Sequence, residues 1–162
     1  MPSLEEIITD VIKREGPETD DPTDSGGRTA FGISEKSNPS AWADGKVTEE
    51  EARAIYEAKY VRYPKFDQVA DPYLRAQLID YGVNSGSQLA IMELQKILKV
   101  TADGVIGPET FSALEANAYR SRTVNNQLVG ARIRMFARIV KRDITQVKYL
   151  LGWINRALEF LL

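Results

Sequence analysis

Apolar residues recur at helical intervals along most of the chain. Leu4, Ile7, Ile8, Val11 and Ile12 fall on one face of a predicted helix. Ser3, with Glu6 three residues later, forms a capping box before it, and Gly16-Pro17 stops it. Thr48 and Glu51 repeat the capping box ahead of Ala52, Ile55, Tyr56 and Tyr60. Asp71-Pro72 opens a third helix through Leu74, Leu78 and Ile79, and a fourth runs from about Ser87 to Leu98. Gly107-Pro108 opens a fifth through Phe111 and Leu114. A long sixth carries Val124, Leu128, Met135, Phe136 and Ile139, and a seventh Val147, Leu150, Leu151, Ile154 and Leu158. Only Thr29-Ala30-Phe31-Gly32-Ile33-Ser34 reads as extended chain. The expected class is all-α in the main, with about seven helices and a small β segment near residues 28–45. The stretch Lys99–Gly107 is the expected seam between an N-terminal and a C-terminal half.

Composition narrows the chemistry more than the fold. The chain has 162 residues, 43% of them hydrophobic and 27% charged, as in an ordinary globular domain. It contains neither cysteine nor histidine. Disulfides, His-assisted serine or cysteine nucleophiles and His/Cys zinc sites are therefore excluded. Any enzymatic chemistry must use carboxylates, hydroxyls, lysine or tyrosine, and no cofactor is expected. No apolar run reaches the roughly 20 residues of a membrane span. The first sixteen residues are acidic and amphipathic, unlike a signal peptide, so synthesis in a cytoplasm is expected.

The net charge of −2 conceals an asymmetry. Residues 119–162 hold nine basic side chains against two acidic ones, Asp143 and Glu159, whereas residues 1–118 hold twelve against twenty-one. The basic half suits either a solvated helix face or a surface that meets an anionic polymer or membrane. No nucleic-acid motif accompanies it, and no nucleic-acid partner is expected.

Five carboxylates, Glu15, Glu18, Asp20, Asp21 and Asp24, crowd the end of the first helix. Glu15 lies three residues after Ile12 and four after Val11, so the spacing predicts that it extends the apolar stripe. Burial there, together with the negative end of the helix dipole, would favour a protonated carboxyl. Such a group can act as a general acid. Asp24 and Thr29 follow, separated by Gly26-Gly27. An acid, a carboxylate and a hydroxyl facing one cleft suit glycosidic bond hydrolysis. The competing readings are a surface glutamate, an Asx-turn aspartate and an ordinary strand threonine. A calcium loop over Asp20–Asp24 fits poorly, because Pro22 and Ser25 break the EF-hand pattern. No metal site is expected.

The residues Glu15, Gly16, Asp21, Pro22, Asp24, Gly26, Gly27, Thr29, Gly32 and Ile33 resemble the N-terminal motif of glycoside hydrolase family 108, the phage-type N-acetylmuramidases. The resemblance places the family's catalytic glutamate on Glu15, with Asp24 and Thr29 completing a lysozyme-like triad. Leu78–Gly86 resembles the family's Asp-x-x-x-Asn-Ser-Gly segment, which implies substrate contacts at Asp80, Tyr81, Asn84 and Ser85. An ion pair between Asp80 and an arginine is the structural alternative. Leu94–Leu114, with Asp103-Gly104-x-Ile106-Gly107-Pro108-x-Thr110, resembles the accompanying peptidoglycan-binding half. Gly152–Phe160 resembles its terminal Gly-Trp-x-Asn-Arg signature. Two departures are Pro17, where a second glycine is usual, and Val61, where a tryptophan that could stack on sugar is common.

The resemblance implies a lysozyme-like fold, with a muramidase lobe over residues 1–98 and a peptidoglycan-binding-like lobe over residues 99–162, packed together. It implies an endolysin that cleaves the β-1,4 bond between N-acetylmuramic acid and N-acetylglucosamine in host-cell lysis. Its expected partners are bacterial peptidoglycan and a holin-type protein that releases a monomer from the host cytoplasm to the cell wall; charge alone adds an anionic membrane surface met by the basic C-terminal helices. A lytic transglycosylase and a non-catalytic peptidoglycan-binding or virion protein are the alternatives.

Overall fold

The computed structural model describes residues 3–16 and 28–162. Glu18, Asp20, Asp21, Asp24 and the Gly26-Gly27 pair lie outside the described residues, and with them the calcium-loop reading. Two compact units divide the chain, Pro2–Tyr63 and Pro64–Leu162. The described residues are mostly helical, with seven α-helices and one two-stranded antiparallel sheet, the class expected from the sequence.

In the first unit α1 spans Leu4–Glu15 and α2 spans Glu49–Glu57. Both capping boxes form as expected. Ser3 Oγ accepts from the Glu6 N–H while Glu6 accepts from the Ser3 N–H, and Thr48 and Glu51 do the same. Between them lie β1, Thr29–Ala30, and β2, Ile33–Ser34, with Thr29 opposite Ser34 and Ala30 opposite Ile33. The β segment is thus a minimal hairpin. After α2 the chain continues as a π-helical turn, Ala58–Arg62. Ile8, Val11 and Ile12 from α1, Ile33 and Trp42 from the hairpin region, and Ala52 and Tyr56 from α2 are all buried. Val61 is fully buried, so this position offers no open surface on which a sugar could stack.

The second unit contains α3, Pro72–Ser85; α4, Ser87–Leu98; α5, Pro108–Ala116; α6, Ser121–Arg142; and α7, Val147–Leu158. Asp71 Oδ1 accepts from the N–H groups of Tyr73 and Leu74 at 3.0 and 2.9 Å, and Pro72 takes the first helical position. Leu74, Leu78, Leu94, Val124, Leu128 and Phe136 are buried here. The loop between α4 and α5 is organised by one buried amide. Gln95 Nε2 donates to Asp103 Oδ1, to the Val105 carbonyl and to Thr110 Oγ1 at 2.8–3.1 Å, and Gln95 Oε1 accepts from the Gly104 N–H at 2.9 Å. The Asp103–Thr110 motif therefore has a structural duty, closing a tight turn onto α4.

Candidate active site

Glu15 is the last residue of α1, and Gly16 follows it with φ of +80°. The apolar stripe ends at Ile12, and Glu15 is exposed. This corrects the expected burial. Helical spacing aims Glu15 along the stripe, but the last turn of α1 runs beyond the cover that buries Val11 and Ile12. The stem of Glu15 instead stands over the hairpin turn. A Cβ added at Gly32 would come within 3.0 Å of Glu15 Cγ and 3.1 Å of Glu15 Cβ.

The hairpin turn is fixed by neighbours on both sides. Tyr56, buried on α2, donates its hydroxyl proton to the Phe31 carbonyl at 2.8 Å. The indole N–H of Trp42 donates to the Ile33 carbonyl at 3.1 Å. The Arg28 guanidinium lies 4.8 Å from the Trp42 ring centre, pairs with Glu35 at 3.2 Å and donates to the Gly45 carbonyl at 3.1 Å. Phe31 and Gly32 both take positive φ, +50° and +76°. An added Cβ at Gly32 would also fall 2.3 Å from the Tyr56 hydroxyl, so only glycine fits. The same hairpin carries Thr29, half-buried on β1. Glu15 and Thr29 thus belong to one locally braced assembly, while Asp24 lies outside the described residues.

Tyr56, Trp42 and Arg28 brace this assembly without having been singled out by sequence reasoning. Tyr56 sits at a core position of an amphipathic helix, and its hydroxyl gives no sign in the sequence that it holds a carbonyl twenty-five residues away.

The four residues expected on the cleft wall belong to α3 of the second unit. Asp80 is 1% exposed and sits between two guanidiniums. Arg132 Nη2 of α6 stands 2.7 Å from Asp80 Oδ2, and Arg156 Nη2 of α7 stands 3.0 Å from Oδ1. Burial raises the Asp80 pKa, but the charges of Arg132 and Arg156 and their hydrogen bonds outweigh it and hold the carboxyl below the usual aspartate value. Asp80 is therefore a structural ion-pair residue, not a sugar contact. Tyr81 is fully buried, with the Arg132 guanidinium 5.1 Å from its ring centre. Burial, with the charge of Glu93 adding, pushes its phenol up to about 12. It too is inaccessible to substrate. Asn84 and Ser85 are half-buried at the end of α3, and Ser85 Oγ donates to Asn84 Oδ1 at 2.9 Å. These two keep exposed surface and remain candidates for a ligand.

A groove of about 380 Å³ lies in the second unit, with Val69, Leu74, Phe111, Leu114 and Val124 among its walls. None of the sequence-predicted site residues lines it. Among the described residues no group of three His, Cys, Asp or Glu side chains is placed to hold a metal ion.

Comparison with known proteins bears on the same regions. The family model described as glycosyl hydrolase 108 matches residues 8–86, which include Glu15, Thr29, Asn84 and Ser85. A second, described as a predicted peptidoglycan domain, matches residues 89–158. No curated protein matches the chain. A solved structure titled "Structure of Brucella abortus SagA" is similar with a TM-score of 0.77 and 28% identity, over 96% of this chain and 90% of that one. Residues 8–86 thus match the glycosyl hydrolase 108 family and residues 89–158 a peptidoglycan domain, an arrangement that supports a glycoside hydrolase directed at peptidoglycan.

Proposed function

We propose that the chain is an N-acetylmuramidase, cleaving the β-1,4 bond between N-acetylmuramic acid and N-acetylglucosamine. Glu15 protonates the leaving glycosidic oxygen. Asp24 stabilises the positive charge that develops on the sugar or activates water, and Thr29 orients that water. One water is consumed, so the product ends in a reducing sugar. The reading is supported by one observation above all: the Glu15 stem stands over the braced turn of the hairpin that carries Thr29, inside the matched hydrolase region. Because Glu15 is exposed, the glycan itself would supply the shelter from water once bound. Asn84 and Ser85 are the remaining candidates for sugar contacts.

The biological setting proposed is an endolysin in phage-driven lysis, made in the host cytoplasm and released to the wall by a holin-type protein. The basic residues of α6 and α7 would favour approach to anionic wall polymer.

The test is zymography on purified sacculi with wild type beside Glu15→Gln and Glu18→Gln. Glu15→Gln should lose about 10²–10⁴-fold in rate, as expected for a general acid. Glu18→Gln, beyond the helix stop, should stay near wild type. Near-full activity of Glu15→Gln would rule out the assignment. Mass spectrometry of the digest separates hydrolysis from transglycosylation, whose 1,6-anhydro product is lighter by one water.

A further inference from the structure

The C-terminal helix is buried on one side only. Trp153 of α7 packs on Phe136 of α6, with ring centres 5.4 Å apart, and Ala157 is fully buried. The α6 side chains Asn125 and Asn126 donate to the Phe160 and Leu162 carbonyls at 2.6 and 2.8 Å. Beside this inner face runs a second apolar stripe, Val147, Leu151, Ile154 and Leu158 on α7, with Ile144 in the turn before the helix and Leu161 after its end. Five of the six are 43–71% exposed, and Ile154 is half-exposed. A continuous open stripe on a helix already packed along its other side calls for a partner.

Charge decides which partner. Arg134, Arg138, Lys141, Arg142 and Lys148 are exposed on the same two helices. Asp143 and Glu159 are the only acids from residue 119 onward, and Asp143 is engaged in capping the turn after α6, accepting from the Thr145 N–H and hydroxyl. A second copy docked stripe to stripe would bring two strongly basic surfaces together. Interhelical pairing normally uses flanking charges of both signs, which this helix lacks. An anionic bilayer removes the conflict, because each nearby Lys or Arg is attracted while the stripe enters the acyl boundary. At about 1.5 Å per residue, twelve residues of α7 reach about 18 Å, short of the roughly 30 Å hydrocarbon core. The helix therefore lies along the surface, and among the described residues none is long and apolar enough to cross.

We propose that the exposed face of α7, with its preceding turn, docks in the plane of an anionic phospholipid bilayer, an interaction beyond the hydrolase reading and independent of Glu15. The experiment is co-sedimentation of the full chain with vesicles of phosphatidylglycerol and phosphatidylethanolamine, and with phosphatidylcholine vesicles. Two variants accompany it, Leu151→Gln/Leu158→Gln and Lys141→Gln/Arg142→Gln/Lys148→Gln. Far-UV circular dichroism and the thermal unfolding midpoint, both unchanged, show that each remains folded. Wild type should bind the anionic vesicles with strong salt dependence and bind phosphatidylcholine weakly. Each variant should lose about tenfold in partitioning. Absence of binding by wild type, equal binding to both vesicle types, or a leucine variant that binds like wild type would overturn the proposal. A dimer in sedimentation equilibrium that Leu151→Gln/Leu158→Gln dissociates would overturn it in favour of a second copy.

Discussion

At the scale of single residues, the hairpin turn shows how little freedom the neighbourhood of Glu15 has. Gly32 combines a positive φ with a space already filled by the Tyr56 hydroxyl and the Glu15 stem. Gly32→Ala should therefore destabilise the protein by roughly 1–3 kcal/mol in thermal or urea unfolding. It should also lower activity, since the displaced groups include the proposed acid. In a double-mutant cycle with Tyr56→Phe, which removes the nearest clashing atom, the two changes should be non-additive. None of this crowding was visible in the sequence, where Gly32 reads as a turn residue and Tyr56 as a core aromatic. Glu15 illustrates the opposite error. Its position in the apolar period is as read, but period reports direction only, and exposure depends on where the covering elements stop.

At the scale of elements the sequence was far more readable, because helix ends are written in local chemistry. Both capping boxes, the Asp71-Pro72 start and the Gly107-Pro108 start produce helices where expected. The β segment was harder. Two residues per strand give no alternation to detect, and its position depends on Tyr56 and Trp42 holding its carbonyls. The α4–α5 loop is intermediate, with its turn readable and its anchor not. Gln95 lies one turn before the end of α4 and spends every amide valence on residues 103–110. Gln95→Leu should leave the buried Gly104 N–H and Thr110 hydroxyl short of partners. A loss of about 1–3 kcal/mol is expected in chemical denaturation, together with faster amide exchange at Gly104.

At the scale of the molecule, electrostatics links helices remote in sequence. Asp80 and Arg156 are 76 residues apart, so no local pattern could select the ion pair over a substrate contact. Asp80 is held below its ordinary pKa in the fold, so its contribution to stability is fully present at neutral pH. It is lost as pH falls below about 4, the unfolded aspartate value, and through the lower folded one. Asp80→Asn should cost about 3–5 kcal/mol at pH 7, because it strands the buried Arg132 charge. The same substitution should flatten the acid limb of the stability curve below about pH 4, which a pH series of urea melts would read. The acidic-to-basic gradient along the chain, by contrast, was evident from the sequence, and the structure adds the open apolar face that gives it a direction.

One carboxylate in the middle of α3 serves guanidiniums from two other helices. The last helix is consequently no detachable tail. Clipping it away would take Arg156 from Asp80 and uncover Phe136 in the same event. A variant that sheds the greasy, cationic end to stay in solution must first rebuild the interior beneath it, which ties surface attachment to folding itself.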